Sequence, residues 1–319
     1  MLYKLLKIPA QLSFYLYCRF LKTNNKTAFH LKGPLMIAAN HPNSFLDAII
    51  LATLFKQPIY SLARGDAFKN KFFAALLKSL NMYPVYRTSE GVENMEHNYS
   101  TFNTCREIFK KNGIVLIFSE GRCINEWHLR PLKKGTARLA LSSWEEGIHL
   151  KILPTGLNYN NFRSYDKNLH LLFGNVFGKE VINSNDSFGK NVLAFNQLLQ
   201  NQMQPLIYEI DTADAEKRKS IFEVKVPVWK KILLFIPALF GLILNFPLYF
   251  VAKTIAIQYG SNNDHYDSIL IAVLFVFFPI YLLLFSLITF FIFQNHLSWL
   301  LLLLMPFCAW SWLQAKKQF

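Results

Sequence analysis

The chain has 319 residues, of which 52% are hydrophobic, and its formal net charge is +14. A charge of this sign suits an anionic partner, either nucleic acid or a lipid surface, but no zinc-finger spacing, RNA-binding signature or basic-region zipper is present, so the lipid surface is favoured. The four cysteines share no paired spacing, which argues against a disulfide framework and against a zinc site. The main domain is therefore expected in a reducing compartment, on the cytoplasmic side of a membrane.

The first predicted element, residues 1–22, is an amphipathic helix at the membrane interface. Its basic residues are interspersed with leucine, phenylalanine and tyrosine, and its apolar stretch is interrupted by Gln11 and Ser13. No small-residue cleavage site follows, so a removable signal peptide is not expected. We expect the basic residues of this helix to face lipid headgroups.

Residues 23–210 are predicted to form an α/β domain with a mixed, largely parallel sheet flanked by helices. Apolar runs bounded by turn residues predict strands at 34–40, 58–64, 113–120, 152–159 and 169–177. Helical spacing of apolar residues predicts helices at 44–55, 66–80, 93–111 and 132–146. In a sheet built from such alternation, functional sites gather outside the carboxyl ends of the strands.

A histidine and an aspartate follow the first predicted strand, in the stretch ANHPNSFLDAII. The neutral imidazole of His41 could take a proton from a hydroxyl at physiological pH, and Asp47 could orient that imidazole if residues 42–45 form a turn. A His-Asp pair at this spacing is more often a loop feature than a catalytic dyad. The pattern alone therefore leaves both interpretations open.

A second polar cluster follows the third predicted strand. Glu120, Gly121 and Arg122 end that strand, and Arg87 follows another apolar run. A guanidinium at a strand end can hold a phosphate through two hydrogen bonds, and glycine permits close approach of the backbone. Together with Lys133 downstream, these residues predict an anion site at the same edge of the sheet.

Four blocks over about residues 30 to 180 resemble, in order, those of the phospholipid/glycerol acyltransferase (PlsC-type) family. They are NHPNSFLD, YPVYR, FSEGRC and ILPTGLNY. Four blocks in the family's order are a strong signal, whereas any one of them would be weak. The resemblance implies a glycerolipid acyltransferase fold and the transfer of a fatty acyl chain from a thioester to a glycerophosphate hydroxyl, a step of phospholipid biosynthesis.

The resemblance also implies roles for individual residues. His41 would be the general base and Asp47 its partner. The substrate-binding residues would be Arg87, Glu120, Gly121 and Arg122, which contact the acceptor, and Pro154, which shapes the pocket. The co-substrate would be acyl-CoA or acyl-carrier protein, and no cofactor or metal is expected.

The acceptor is less well defined. Five residues separate His41 from Asp47, where most members of the family have four. The wider spacing, together with apolar segments after the domain, resembles the glycerol-3-phosphate/dihydroxyacetone-phosphate acyltransferase branch, so one of these two small acceptors is expected. 1-Acylglycerol-3-phosphate (lysophosphatidate) is the alternative acceptor.

The carboxyl-terminal third is predicted to be a membrane region, residues 229–319, joined to the domain by a charged linker, residues 211–228. Candidate membrane segments are 232–252, 269–293 and 297–313. Three crossings would place Lys316 and Lys317 across the membrane from the domain, against the positive-inside tendency. A re-entrant first segment, broken near Pro247, would return them to the domain's side. We expect a multi-pass membrane protein with its catalytic domain on the cytoplasmic face.

Two functions of other classes stay open. The protein could be a non-catalytic membrane scaffold in which His41 and Asp47 are structural and the basic face binds anionic lipid. It could also be a hydrolase that uses Cys123 as nucleophile, since arginine at the preceding position modestly raises thiol reactivity. No Gly-x-Ser-x-Gly sequence is present to support a serine hydrolase.

Overall fold

The protein forms a seven-stranded sheet with helices on both faces. The structure, a computed structural model, describes residues 2–86, 95–183 and 185–318. Within these residues the strands are β1 Cys18–Thr23, β2 Leu35–Ala39, β3 Ile59–Arg64, β4 Met82–Val85, β5 Ile114–Phe118, β6 Lys151–Tyr159 and β7 Lys167–Phe173. Their order across the sheet is β1-β7-β6-β2-β5-β3-β4. The predicted mixed, largely parallel α/β fold is confirmed.

The direction of the strands decides which residues meet at one edge. Strands β2 to β6 run parallel to one another, whereas β7 is antiparallel to β6 and parallel to β1. The amino ends of β1 and β7 therefore lie at the edge where β2 and β5 end. Residues that precede β1 and begin β7 thus come close to residues that follow β2 and β5.

Helices cover the two faces of the sheet and bury its alternating side chains. They are α1 Leu2–Tyr17, α2 Ser44–Leu54, α3 Lys71–Ser79, α4 Met95–Lys110, α5 Lys134–Glu145, α6 Phe188–Met203 and α7 Ala215–Phe222. Ile37 of β2 packs in one core cluster with Leu51, and Met36 packs in the other with Trp144. Because β2 is buried on both faces, it is apolar throughout, and the loop that follows it starts from a rigid position.

The amino-terminal helix is shorter than the predicted helix over 1–22. It ends at Tyr17, and Cys18–Thr23 forms the edge strand β1. Strand β4 at the opposite edge, with Pro84 inside it, is also absent from the predicted strands. Edge strands bury only part of their side chains and tolerate proline, so they lack the continuous apolar run that identifies central strands.

Three carboxyl-terminal helices are long and apolar enough to cross a membrane. They are α8 Val228–Gly260, α9 Tyr266–Phe293 and the unit of a short 3₁₀ turn with α10 Leu301–Ala315. Helix α8 is longer than the predicted segment over 232–252 and contains Pro237 and Pro247. These helices indicate membrane association.

Both ends of α8 lie on the side of the sheet domain. At its start, Lys230 Nζ donates to Gln314 Oε1 (3.0 Å) near the end of α10. The end of α10 in turn contacts the domain, where the Arg19 guanidinium donates to the Lys316 carbonyl (2.9 Å). At its other end, Gly260 packs against Tyr266, the first residue of α9. The chain therefore leaves α8 on the side from which it enters.

Candidate active site

His41 and Asp47 form a hydrogen-bonded pair at the carboxyl end of β2. His41 Nδ1 lies 2.9 Å from Asp47 Oδ2. The turn that folds the aspartate back includes Ser44, whose φ of 49° is in the left-handed region. The Ser44 amide donates to Cys123 Sγ (2.9 Å), and its hydroxyl lies 2.6 Å from His265 Nδ1. These contacts hold the turn on which the pair depends.

Asp47 is fully buried and is held by two further donors. The Asn43 amide donates to Oδ2 (2.8 Å), and the Tyr159 hydroxyl donates to Oδ1 (2.8 Å). Burial, and then the charge of Asp47, raises the pKa of Tyr159 well above the usual tyrosine value, so its hydroxyl stays protonated and can donate. A carboxylate that accepts several hydrogen bonds can remain charged inside a protein.

The imidazole of His41 is fixed in orientation but reaches solvent. Its ring stacks on Phe118, with centroids 3.7 Å apart and planes 8° from parallel, and its side chain is 18% exposed. Because Nδ1 faces Asp47, Nε2 is the ring nitrogen that can receive a proton from a substrate. This arrangement has the geometry of a general base with an orienting carboxylate.

Glu120 joins the loops after β2 and β5. Its Oε2 accepts from the His41 amide (2.8 Å), and its Oε1 accepts from the Arg130 amide (3.0 Å). The residue is only 4% exposed. With both oxygens bonded to backbone amides, Glu120 holds the loop that carries His41. The contact with the acceptor that the resemblance implies stays a prediction.

Burial gives Glu120 an unusual protonation behaviour. Loss of solvent raises the pKa of Glu120 to about 7, although the amides of Arg130 and His41 act in the opposite direction. Its ionised form makes the better acceptor for two N–H donors. Ionisation also leaves a charge buried, and this cost exceeds the gain from the two amides, so the folded protein favours protonated Glu120 up to about pH 7.

The other residues predicted for the anion site, Gly121, Arg122 and Lys133, differ in their exposure to solvent. Arg122 and Lys133 are exposed at the rim. Gly121 has a φ of 72°, and a Cβ atom there would lie 2.9 Å from Lys133 Cγ, so its conformation and its space both favour glycine. The Ile124 amide donates to the His41 carbonyl (3.2 Å), which holds this loop beside the histidine.

Pro154 lies deeper in the sheet. Pro154 is buried within β6, where it is paired with Ala38, three residues before His41. Its contacts include Gly174, on the segment that follows β7. Arg87 lies outside the residues that the structure describes.

Residues that the sequence analysis did not select come from the loop between α8 and α9, residues 261–265, which we call the hairpin loop. Asp264 Oδ1 accepts from the Asn125 amide (3.1 Å), and His265 meets the hydroxyl of Ser44. The hairpin loop thus contacts both loops that border His41. The apolar helices α8 and α9 and the candidate site are therefore parts of one packed unit.

A buried charged pair lies directly beneath these contacts. Asp267 in the first turn of α9 forms an ion pair with Lys167, the first residue of β7, and both side chains are 0% exposed. Asp267 Oδ2 also accepts from Asn43 Nδ2 (2.8 Å), and its Oδ1 accepts from the Tyr17 hydroxyl (3.0 Å). Asn43 therefore connects Asp267 to Asp47.

One sequence signal was available for this second network. Asp267 is an acidic residue at the start of a long apolar helix, and ionisable residues in such helices are usually paired and functional. The acidic residue also has an ordinary explanation, since carboxylates stabilise the first turn of any helix. Its partner Lys167 is 100 residues away in the chain and gives no local signal.

The described residues disfavour a nucleophilic role for Cys123. Burial, followed by the charge of Asp47, raises the pKa of its thiol, so the reactive thiolate is scarce near neutral pH. Its sulfur accepts from the Ser44 amide and serves the turn. Among the residues described here, no group of three His, Cys, Asp or Glu side chains is placed to hold a metal ion.

Comparisons with known proteins agree on one chemical class. Residues 20–158 match a family model described as Acyltransferase. The 1-acyl-sn-glycerol-3-phosphate acyltransferase of Bacillus subtilis (strain 168) is 28% identical over 120 residues, which cover 37% of this chain and 55% of that protein. The chain therefore aligns with about half the length of this curated relative.

A solved structure shows a weaker likeness. The crystal structure of the 1-acyl-sn-glycerophosphate (LPA) acyltransferase PlsC from Thermotoga maritima aligns with a TM-score of 0.45 and 11% identity, over 70% of this chain and 81% of that one. The curated relative is named for 1-acyl-sn-glycerol-3-phosphate, so the expected branch for glycerol-3-phosphate or dihydroxyacetone phosphate is not confirmed. Taken together, the family model and the curated relative support the acyltransferase family for residues 20–158, the segment that contains His41, Asp47 and Glu120.

Proposed function

We propose that the protein is a membrane-bound glycerolipid O-acyltransferase in which His41 is the general base and Asp47 orients it. The observation that carries the proposal is the contact of 2.9 Å between His41 Nδ1 and Asp47 Oδ2, with Nε2 directed away from the pair. A thioester is already activated toward attack. A positioned hydroxyl and a base are therefore sufficient for transfer, without a covalent enzyme intermediate.

In the proposed reaction, His41 Nε2 takes the proton of the acceptor hydroxyl, and the oxygen of that hydroxyl attacks the thioester carbonyl. A new ester bond forms as the carbon–sulfur bond breaks. The departing thiolate receives the proton from the imidazolium. Asp47 stabilises the imidazolium, and the Asn43 amide and the Tyr159 hydroxyl keep that carboxylate in place.

For the acceptor we propose 1-acylglycerol-3-phosphate rather than the smaller acceptors expected from the spacing of His41 and Asp47. The support is the activity for which the Bacillus subtilis relative is named, and that protein aligns over 120 residues. A lysophosphatidate carries its own acyl chain and partitions into the bilayer. Exposed Arg122 and Lys133 at the rim would meet its phosphate.

We further propose that the domain lies on the cytoplasmic face and that α8 is a re-entrant element. Its two ends contact the end of α10 and the start of α9, both of which adjoin the domain. Helices α9 and α10 would then cross and return. This topology keeps Lys316 and Lys317 on the domain's side, in agreement with the positive-inside tendency.

The test is an acyl-transfer assay on the purified full chain in detergent. Labelled acyl-CoA and acyl-carrier protein are each offered with lysophosphatidate, glycerol-3-phosphate and dihydroxyacetone phosphate. We expect the largest kcat/KM for lysophosphatidate, because this ratio measures discrimination between acceptors. An advantage for glycerol-3-phosphate would restore the smaller acceptor. Absence of transfer from either donor to all three acceptors would favour the scaffold.

A further inference from the structure

A cavity of about 320 Å³ lies between α1 and the three membrane helices. Its walls are mainly apolar and include Leu242, Leu274 and Phe278. Ligand pockets in proteins usually have volumes of roughly 300 to 1,000 Å³, so this cavity is large enough to bind part of a lipid, such as one acyl chain. Because α8 and α9 are apolar enough to lie in a bilayer, the occupant should come from the membrane.

The polar part of the cavity carries excess positive charge. Lys253 and Lys316 both line it, and Lys253 is exposed. Lys316 Nζ lies 3.3 Å from Asp166, which also pairs with Arg19 at 3.4 Å. Asp166 is thus the one carboxylate paired with these cations, which are Lys253, Lys316 and Arg19. The local charge of about +2 that remains would attract an anionic group. Basic pockets between membrane helices bind anionic lipid headgroups.

Unsatisfied hydrogen-bonding groups mark the same region. Asn245 lines the cavity and donates to the Gly241 carbonyl (2.9 Å), while its buried Oδ1 has no partner among the described residues. Two buried nitrogens of Arg19, Nε and Nη1, likewise have no partner within the described part of the chain. Buried polar groups without partners are costly. The two Arg19 nitrogens lie in the Asp166 cluster beside the cavity and are donors that an anionic group could satisfy, whereas Asn245 Oδ1 needs a donor.

The cavity is separate from the candidate catalytic site. Neither His41 nor Asp47 lines it. Tyr17 forms part of its wall, and the hydroxyl of Tyr17 donates to Asp267, which accepts from Asn43. A buried polar layer therefore lies between the cavity and the dyad.

We propose that this cavity is a second lipid site, which binds one acyl chain of an anionic glycerophospholipid and holds its phosphate between Lys253 and Lys316. The site goes beyond the proposed acyl transfer, because its ligand need not be a reactant. Its occupant supports the wall that carries Tyr17. The binding of this lipid can be measured without any acyl donor, so it is tested independently of catalysis.

The experiment uses the purified full chain and counts retained lipids by native mass spectrometry. The probes are phosphatidylglycerol and phosphatidylcholine with identical acyl chains, so that only the headgroup charge differs. We expect wild type to retain phosphatidylglycerol preferentially. Lys253→Gln and Lys316→Gln should each reduce that retention by about fivefold, as expected for one lysine near an anionic headgroup. The pair Lys225→Gln/Lys231→Gln, outside the cavity, is the charge control and should leave retention unchanged.

A second variant tests the chain-binding part of the cavity. Leu274→Trp should fill the cavity and displace both lipids, whereas Leu283→Trp on the exposed face of the same helix should retain them. Melting temperatures of all variants identify any that fail to fold. Equal retention of the two lipids by wild type would overturn the proposal. So would retention that is unchanged in both the lysine and the Leu274 variants, which would mean adventitious lipid only.

Discussion

Two regions of the molecule each bury a carboxylate, and they stabilise it in different ways. Asp47 at the rim of the sheet receives its hydrogen bonds from His41 and Asn43 close by in the chain and from Tyr159. Asp267 at the base of α9 receives its contacts from three remote segments, through Tyr17, Asn43 and Lys167. The first arrangement leaves a partly exposed imidazole free to act, and the second is closed on all sides.

The difference suggests that Asp47 serves the reaction and that Asp267 serves the stability of the fold. A carboxylate held by neutral donors and one partly exposed histidine can stabilise a charge that appears only during reaction. A carboxylate paired with a fully buried lysine has its charge compensated permanently, so it fixes structure instead. Asn43 donates to both carboxylates, so the position of α9 affects the position of the dyad. Changes to the two regions should therefore have separable effects on rate and on stability.

The largest effect is expected from the rim. His41→Ala removes the proposed base and should lower kcat by about 10²–10⁴-fold. The melting temperature separates this loss of rate from any loss of the stacking of His41 on Phe118. Asp47→Asn should also be severe, since the imidazolium would lose its charged partner. Steady-state acyl transfer and thermal unfolding in one detergent give the two readouts.

The control for this pair of variants is His149→Ala, which removes an exposed histidine far from β2 in the chain. It should retain the wild-type rate. A His41→Ala protein that kept more than about a tenth of the rate would contradict the assignment of the base, because general-base catalysis contributes at least about a hundredfold.

The second effect should appear in stability. Asp267→Ala leaves the Lys167 ammonium buried without its carboxylate and should cost roughly 3–5 kcal/mol of unfolding free energy. Burial already lowers the pKa of Lys167, and the charge of Asp267 opposes that effect. The double variant Asp267→Ala/Lys167→Met should be more stable than Asp267→Ala alone, since no unpaired charge remains.

A matched control uses an exposed pair. Lys190→Met removes a cation of α6 that lies 3.8 Å from Asp186, and it should leave the melting temperature unchanged. If the double variant were no more stable than Asp267→Ala, the cost would come from packing rather than from the charge of Lys167. The contrast between the two carboxylates would then disappear.

The third effect depends on pH and concerns Glu120. Its pKa is raised from 4.5 to about 7 in the folded protein, so between these pH values the unfolded chain has lost a proton that the folded chain keeps. The free energy of unfolding therefore falls as pH rises across this window, by roughly 3 kcal/mol from this residue. Above pH 7 the contribution is constant.

Glu120→Gln removes this titration but keeps the size of the side chain. The variant loses one amide contact at every pH, because its NH₂ group cannot accept from either His41 or Arg130. The stability of wild type relative to the variant should fall between pH 5 and pH 8 by roughly 3 kcal/mol. Denaturant titrations at both values measure it, with the exposed Glu107→Gln as control. If the difference in unfolding free energy between wild type and Glu120→Gln did not vary with pH, burial of the ionised Glu120 carboxylate would carry no such cost.

These contrasts also explain how much could be predicted from the sequence. The central strands and the residues that follow them were recognisable because strands buried on both faces are continuously apolar. The dyad requires a turn over residues 42–45, and the structure contains it, held by the contact of the Ser44 amide with Cys123. Local patterns thus identified the rim.

The base of the membrane helices was not predictable in the same way. Composition changes sharply near residue 228, which suggested a boundary there. Yet Ala252, Ala256 and Leu270 pack in the same core cluster as the sheet residue Ile37. Tyr17 and Lys167 contact Asp267 from 250 and 100 residues away. The reversal of β1 and β7 places both residues there, and no single segment encodes that reversal.

The smallest effect is expected at the exposed cations of the rim. Arg122→Ala should raise the KM for a phosphorylated acceptor by about fivefold with little change in kcat, since an exposed ionic contact contributes roughly 1 kcal/mol and acts alike in ground and transition states. Arg122→Lys should restore part of the affinity, because lysine keeps the charge but lacks the planar fork. Added salt should reduce the difference in KM between wild type and Arg122→Ala.

Lys179→Ala is the control, since Lys179 is exposed but follows β7, which ends at the opposite edge of the sheet. If Arg122→Ala left KM unchanged and lowered kcat instead, Arg122 would stabilise the transition state. It would then act together with His41 and Asp47 rather than bind the acceptor phosphate.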